Sequence, residues 1–106
     1  MTGSYAVLWR ERKGPIYAGK VELSARGLRF EGSCHDRLRS SRAIRYEDLA
    51  GLSLTRAPQE RIYGKLTLML ELREGGVVEI ASVNGFGVVR ELEERIAGLA
   101  RLVPVD

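Results

Sequence analysis

Lys65–Arg73 reads KLTLMLELR, nine residues in which Leu66, Leu68, Leu70 and Leu72 alternate with Lys65, Thr67, Met69, Glu71 and Arg73. Strict period two is the mark of a half-buried antiparallel strand, because successive strand side chains point to opposite faces. Leucine and methionine favour helices, but a helix would scatter these four leucines around its surface, so periodicity outweighs propensity. Glu74-Gly75-Gly76 then turns the chain and Val77–Ala81 runs back, which predicts a hairpin. An isolated hairpin is marginal in water, so the rest of the chain must supply a partner for its leucine face.

Most of the remainder has the same period. Tyr5–Glu11 is β-rich and ends at Gly14-Pro15, and Ile16–Leu23 resumes with Val21 and Leu23 on one face and Lys20 and Glu22 on the other. Ser24–Gly27 is a turn and Leu28–Glu31 alternates again, so VELSARGLRFEG predicts a second hairpin. Gly32–Arg42 is the longest polar stretch and reads as a long loop between the third and fourth strands. Ala43–Tyr46 is a strand with Ile44 and Tyr46 inward, Glu47–Gly51 a bend, and Leu52 and Leu54 begin the next strand. After Asn84, a plausible N-cap, the period changes: Phe86, Val89, Leu92, Ile96, Leu99 and Val103 recur at steps of three and four. Arg90, Glu91, Glu93, Glu94, Arg95 and Arg101 fill the other face, which reads as solvated. The chain is therefore mainly β, with about seven antiparallel strands within about residues 5–82 and one amphipathic α-helix over about residues 84–102. At 106 residues it is one domain, residues 1–106, with no repeat or linker. A curved sheet of this size leaves an open end, and the helix stripe can cap it as a small barrel.

This order is that of a pleckstrin-homology (PH)-like barrel, and three segments carry the resemblance. GKVELSARGLRFEG (Gly19–Gly32) resembles the second and third strands of bacterial PH and GRAM-type domains. AIRYEDLAGLSL (Ala43–Leu54) resembles their next segment, and KLTLMLELREGGVVEIAS followed by the helix completes the pattern. The resemblance implies a non-enzymatic scaffold that binds a protein partner, a copy of itself, or an acidic lipid or phosphate surface. Lipid-binding relatives carry basic residues near the first two strands. Arg10, Arg12 and Lys13 occupy that region here, with Lys20 on the next strand, where Glu22 interrupts the Lys/Arg-x-Arg element.

The residues themselves show no assembled reaction centre. Cys34 and His35 are the chain's only cysteine and histidine, and they are adjacent. A thiol nucleophile needs its base beside it in space, and neighbouring strand side chains point apart. Structural zinc wants four ligands in recognisable spacing, and no second cluster exists, so neither metal nor cofactor is implied. No enzymatic activity and no small-molecule substrate is expected.

Charge is more informative. Net charge is +3, but residues 1–45 hold 10 Lys+Arg against 4 Asp+Glu, whereas residues 46–106 hold 7 against 10. Arg37, Arg39, Arg42 and Arg45 lie within nine residues, and guanidinium forks match phosphate and carboxylate. With Arg10, Arg12 and Lys13 they form the candidate anion- or partner-binding set. In an extended chain, Arg42 has the opposite parity to the other three. The competing reading is a solvated loop whose arginines pair with Glu47, Asp48 or other acids. Trp9 and Tyr17 raise a second function, a weak single-stranded nucleic-acid-binding barrel in which aromatics stack bases. No segment has the length of apolar residues that crosses a bilayer and no leader is apparent, so a cytoplasmic, or peripheral membrane, location is expected.

Overall fold

The computed structural model describes residues 3–12, 14–34, 38–55, 57, 59, 61–83 and 86–102, with only the backbone of Leu38 and Phe86. Seven strands make one antiparallel sheet: β1 (Gly3–Glu11), β2 (Tyr17–Leu23), β3 (Gly27–Cys34), β4 (Leu38–Arg45), β5 (Leu49–Thr55), β6 (Thr67–Leu72) and β7 (Val77–Ser82). Their order is β4-β3-β2-β1-β7-β6-β5. β4 and β5 are thus edges, and the sheet curls into a half-barrel rather than a closed barrel. Helix α1 (Phe86–Ala100) packs across β7, β6 and β5 and the 3-10 turn Tyr46–Asp48.

The alternation that defines the strands also builds the core. Val7 and Trp9 of β1, Val21 and Leu23 of β2, Leu28 and Phe30 of β3, and Leu68, Leu70 and Leu72 of β6 all point inward and are buried. Val89, Leu92, Ile96 and Ala97 of α1 close the open side. Trp9 is completely buried; its ring lies 4.8 Å from that of Tyr17 and 5.3 Å from that of Phe30, and its Nε1–H donates to the Glu31 carbonyl at 3.2 Å. That burial removes Trp9 as a surface for stacking bases.

Five expectations are corrected. Gly32–Arg42 is not a long loop. β3 continues to Cys34 and β4 begins at Leu38, in unbroken register from Gly27↔Arg45 to Cys34↔Leu38. The ladder is carried by backbone hydrogen bonds, which need no apolar side chains, and that is why a polar segment is a strand here. Thr67, placed outward by parity with Met69, is buried because its Oγ1 accepts from the Ile62 N–H at 3.0 Å and donates to the Lys65 carbonyl at 2.9 Å. Tyr46 is buried as expected but lies in the 3-10 turn, with its hydroxyl donating to the Ser24 carbonyl at 2.7 Å. The polar face of α1 is only partly solvated: Glu93 is buried, while Glu91 and Arg95 engage Tyr5. In the expected apolar stripe, Leu99 is at the exposed margin, 36% accessible. Asn84 and Val103 lie outside the described residues.

Two close approaches shape the sheet. A Cβ on Gly19 would collide with the Glu31 carbonyl on β3. A Cβ on Gly32 would fall 2.9 Å from both Trp9 Nε1 and Tyr17 Cβ. These paired glycines (Gly19↔Gly32) let β2 and β3 close over the indole.

Candidate functional site

The seven basic residues singled out in the sequence fall into distinct settings. Arg10 lies opposite Glu79 in the β1–β7 register, and its Nε and Nη2 donate to the two carboxylate oxygens at 3.0 and 3.4 Å. Their side chains are only 15% and 7% exposed, so this pair ties central strands together. Arg12 follows β1 in a left-handed conformation, φ 54°, and its Nη2 donates to the Gly75 carbonyl at 2.8 Å. Lys13 and Arg37 lie outside the described residues, as do His35 and Asp36.

β4 carries the other three. Arg39 and Arg45 point to the outer face and are exposed, whereas Arg42 shares the inward parity of Ile44. Arg42 reaches across the mouth of the half-barrel, with Nε 3.5 Å from a Glu11 oxygen and Nη2 3.2 Å from one of Glu74. The two basic segments therefore do meet at one end: Arg12 and Arg42 converge on the β6–β7 turn, Arg12 on the Gly75 carbonyl and Arg42 on the carboxylates of Glu74 and of Glu11. Arg45 pairs with Glu47 at 3.2 Å on the surface. Arg39 takes part in none of the ion pairs among the described residues.

The outer face of β2–β3–β4 is a surface of rows. Ala18, Ser33 and Arg39 form one, and Lys20, Glu31 and Ser41 another. Lys20, Glu22, Glu31 and Arg29 interlock there at 3.5 to 3.9 Å. Two shallow hollows flank this ridge, one at each end of β4. One of about 620 Å³ lies over Gly19, Gly32 and Ser40 between Lys20 and Arg39. The other, about 570 Å³, reaches from Gly3 and Gly27 to Ala43 and Arg45.

Edge geometry makes β4 chemically available. The Tyr46 N–H donates to the Arg26 carbonyl, continuing the ladder toward β3. In an antiparallel ladder the direction alternates every residue. The N–H and C=O of Arg39, Ser41, Ala43 and Arg45 therefore point away from β3, along an edge that no described strand covers. β5 is the other edge, and its register is broken by an irregularity between Leu49 and Gly51. Bulges of this kind blunt an edge, and β4 has none.

Sequence reading missed one further constellation. The Tyr5 hydroxyl donates to Glu91 at 2.7 Å and receives a hydrogen bond from Arg95 Nη1 at 2.6 Å, with the Arg95 guanidinium 5.7 Å from the Tyr5 ring centre. Burial, with the acceptor Glu91, pushes the Tyr5 phenol above its ordinary value of 10.0. This is a latch between the first strand and the helix. Its only trace in the sequence is Gly3, where a Cβ would fall 2.6 Å from Arg95 Nη1. Cys34 is buried at the inner end of β3, and among the described residues no three His, Cys, Asp or Glu side chains gather as a metal site.

No protein-family model matches the chain, and no curated protein matches it in sequence. Solved structures do resemble it. The C-terminal domain of an unknown protein from Leishmania infantum superposes with a TM-score of 0.64 at 8% identity, covering 89% of this chain and 81% of that one. The Spt16D–Pob3N heterodimer contains a similar domain, with a TM-score of 0.65 at 12% identity over 98% of this chain; this chain spans 53% of that one. Likeness at such identities shows the fold alone, an open antiparallel half-barrel of seven strands closed by one C-terminal helix, in the PH-like arrangement.

Proposed function

We propose that this domain is a non-enzymatic PH-like interaction module, which takes a protein partner, a second copy of itself or an acidic surface through a sheet edge and its basic flank. One observation carries this reading: β4 is an eight-residue edge strand of regular register, with outward backbone groups at Arg39, Ser41, Ala43 and Arg45. Sheet edges with unpaired backbone groups are ready templates for another chain. The solved neighbour that is a heterodimer supports a protein partner as the first class to test. A cytoplasmic, peripheral setting agrees with the described residues, which contain no helix long and apolar enough to cross a membrane.

The test is the light-scattering mass in solution, followed by affinity capture and vesicle sedimentation. A mass of twice the 11.8 kDa chain supports self-association. A monomer that retains a defined protein stoichiometrically supports a dedicated partner. A monomer that retains neither protein nor anionic vesicles, or one with turnover that depends on Cys34 or His35, overturns the reading.

A further inference from the structure

Resting on that reading, we infer that β4 is the binding edge and that its occupant is an extended acidic protein segment with carboxylates six residues apart. The choice of β4 over β5 follows from geometry. β4 pairs with β3 in register over all eight residues, while the β5 edge is interrupted at Leu49/Gly51. The choice of occupant follows from charge. β4 contains Arg39, Arg42 and Arg45 and no acid.

A second copy is the obvious strand to add, and the register argues against it. Because side chains alternate faces, an antiparallel pair must keep odd residues opposite odd ones. The self-pairing that engages all four outward residues of β4 then sets Arg39 against Arg45 of the second copy, Ser41 against its Ala43, and Arg42 against the same arginine. All three cations would face cations, and like charges directly opposite one another are destabilising. Arg42 adds to this as an inward-pointing charge on an edge strand, a device that deters copies of the same chain.

An acidic segment meets the same edge with opposite sign. Its backbone would pair with the outward groups of Arg39, Ser41, Ala43 and Arg45. Its outer-face side chains would then fall opposite these four residues. Carboxylates belong opposite Arg39 and Arg45, six residues or about 20 Å apart in an extended chain. Small or β-branched residues belong opposite Ser41 and Ala43. The two hollows lie over β2, β3 and β4, one reaching Arg39 and the other Arg45, so neither arginine is packed over by a neighbouring element on that side. Arg45 would exchange its exposed partner Glu47, a pair of little worth at a surface, for the incoming carboxylate.

The experiment is a titration of the ¹⁵N-labelled domain with synthetic eight-residue peptides, built of valine and threonine with two charged residues. The probes are glutamates six apart, lysines six apart, and glutamates adjacent. The expected result is selective binding of the first, with amide shifts centred on Arg39, Ser41, Ala43 and Arg45. Combining Arg39→Glu with Arg45→Glu should lower its affinity about tenfold and transfer preference to the lysine peptide. Ser41→Pro removes an outward N–H without touching the β3 ladder, a position where edge strands tolerate proline, and should abolish binding in a folded protein. Shifts on β5 instead of β4, equal binding of all three peptides, or dimerisation through β4 would overturn this assignment and leave the interaction-module reading standing. Binding to phosphatidylserine vesicles with no response to the glutamate peptide would also overturn it, in favour of a lipid surface. Absence of all binding, to peptides, vesicles and captured protein alike, would remove both readings.

Discussion

At the level of single residues, a buried ion pair and a half-buried phenol set the measurable behaviour. Glu79 is 5% exposed and holds Arg10 across the centre of the sheet. Removing one partner of a buried pair strands the other charge. Glu79→Ala should therefore cost roughly 3 kcal/mol, and the double variant with Arg10→Met should recover much of it. Urea unfolding of the three variants measures this, and additive losses would contradict a coupled pair. Tyr5 gives a pH signature. Its phenol is raised in the folded state, so its contribution is complete below pH 10 and is lost as pH rises from there through the folded value. Tyr46 is raised by burial as well and acts in the same direction. Above about pH 10 the melting temperature should fall more steeply in the native chain than in Tyr5→Phe, and parallel slopes would refute the latch. Neither Glu79 nor Tyr5 announces itself in the sequence, because each acquires its role from a partner at least 69 residues away.

Elements differ in how much of them the sequence states. KLTLMLELR and the helix stripe are legible because an apolar period must match the face it buries, and both Leu70 and Leu92 are fully buried. Replacing Leu70 with Ala should cost 2–5 kcal/mol, on the order seen for large core deletions, with unchanged urea dependence. The Gly32–Arg42 stretch is illegible for the opposite reason. Its outer residues face water, its described inner residues are Gly32, Cys34, Ser40 and Arg42, of which only Cys34 is apolar, and so no hydrophobic period marks it. What makes it a hairpin is backbone pairing and the close packing at Gly19 and Gly32. Gly19→Ala forces a methyl group against the Glu31 carbonyl, so it should destabilise by about 1–3 kcal/mol, the range of overpacking, and hydrogen exchange should quicken first in β3 and β4. Uniform quickening across the sheet would show that the glycine contact is not local.

On the scale of the whole molecule, the open sheet is drawn together by side chains where no backbone ladder spans it. Arg42 links β4 to the end of β1 and to the β6–β7 turn, through Glu11 and Glu74. The helix links the other side, with Arg95 on Tyr5. Arg42→Met keeps the alkyl stem and removes both ion pairs. It should reduce stability by no more than about 1 kcal/mol, because these pairs are partly solvated, while protection of β4 amides falls by a larger factor than that of β6 and β7. Equal loss everywhere would mean that β4 opens only with global unfolding. The candidate site was half legible on the same terms. Arginine density located the β4 region and parity set Arg42 apart from Arg39 and Arg45, but only if the segment was extended, and its polar sequence read as a loop where the structure has a strand. Trp9 has a last consequence of a different kind. It is the chain's only indole, wholly buried against Tyr17 and Phe30, with its N–H on the Glu31 carbonyl of the strand that pairs with β4. The molecule therefore carries its own optical probe: a short-wavelength emission that moves red when the sheet opens, read without any label.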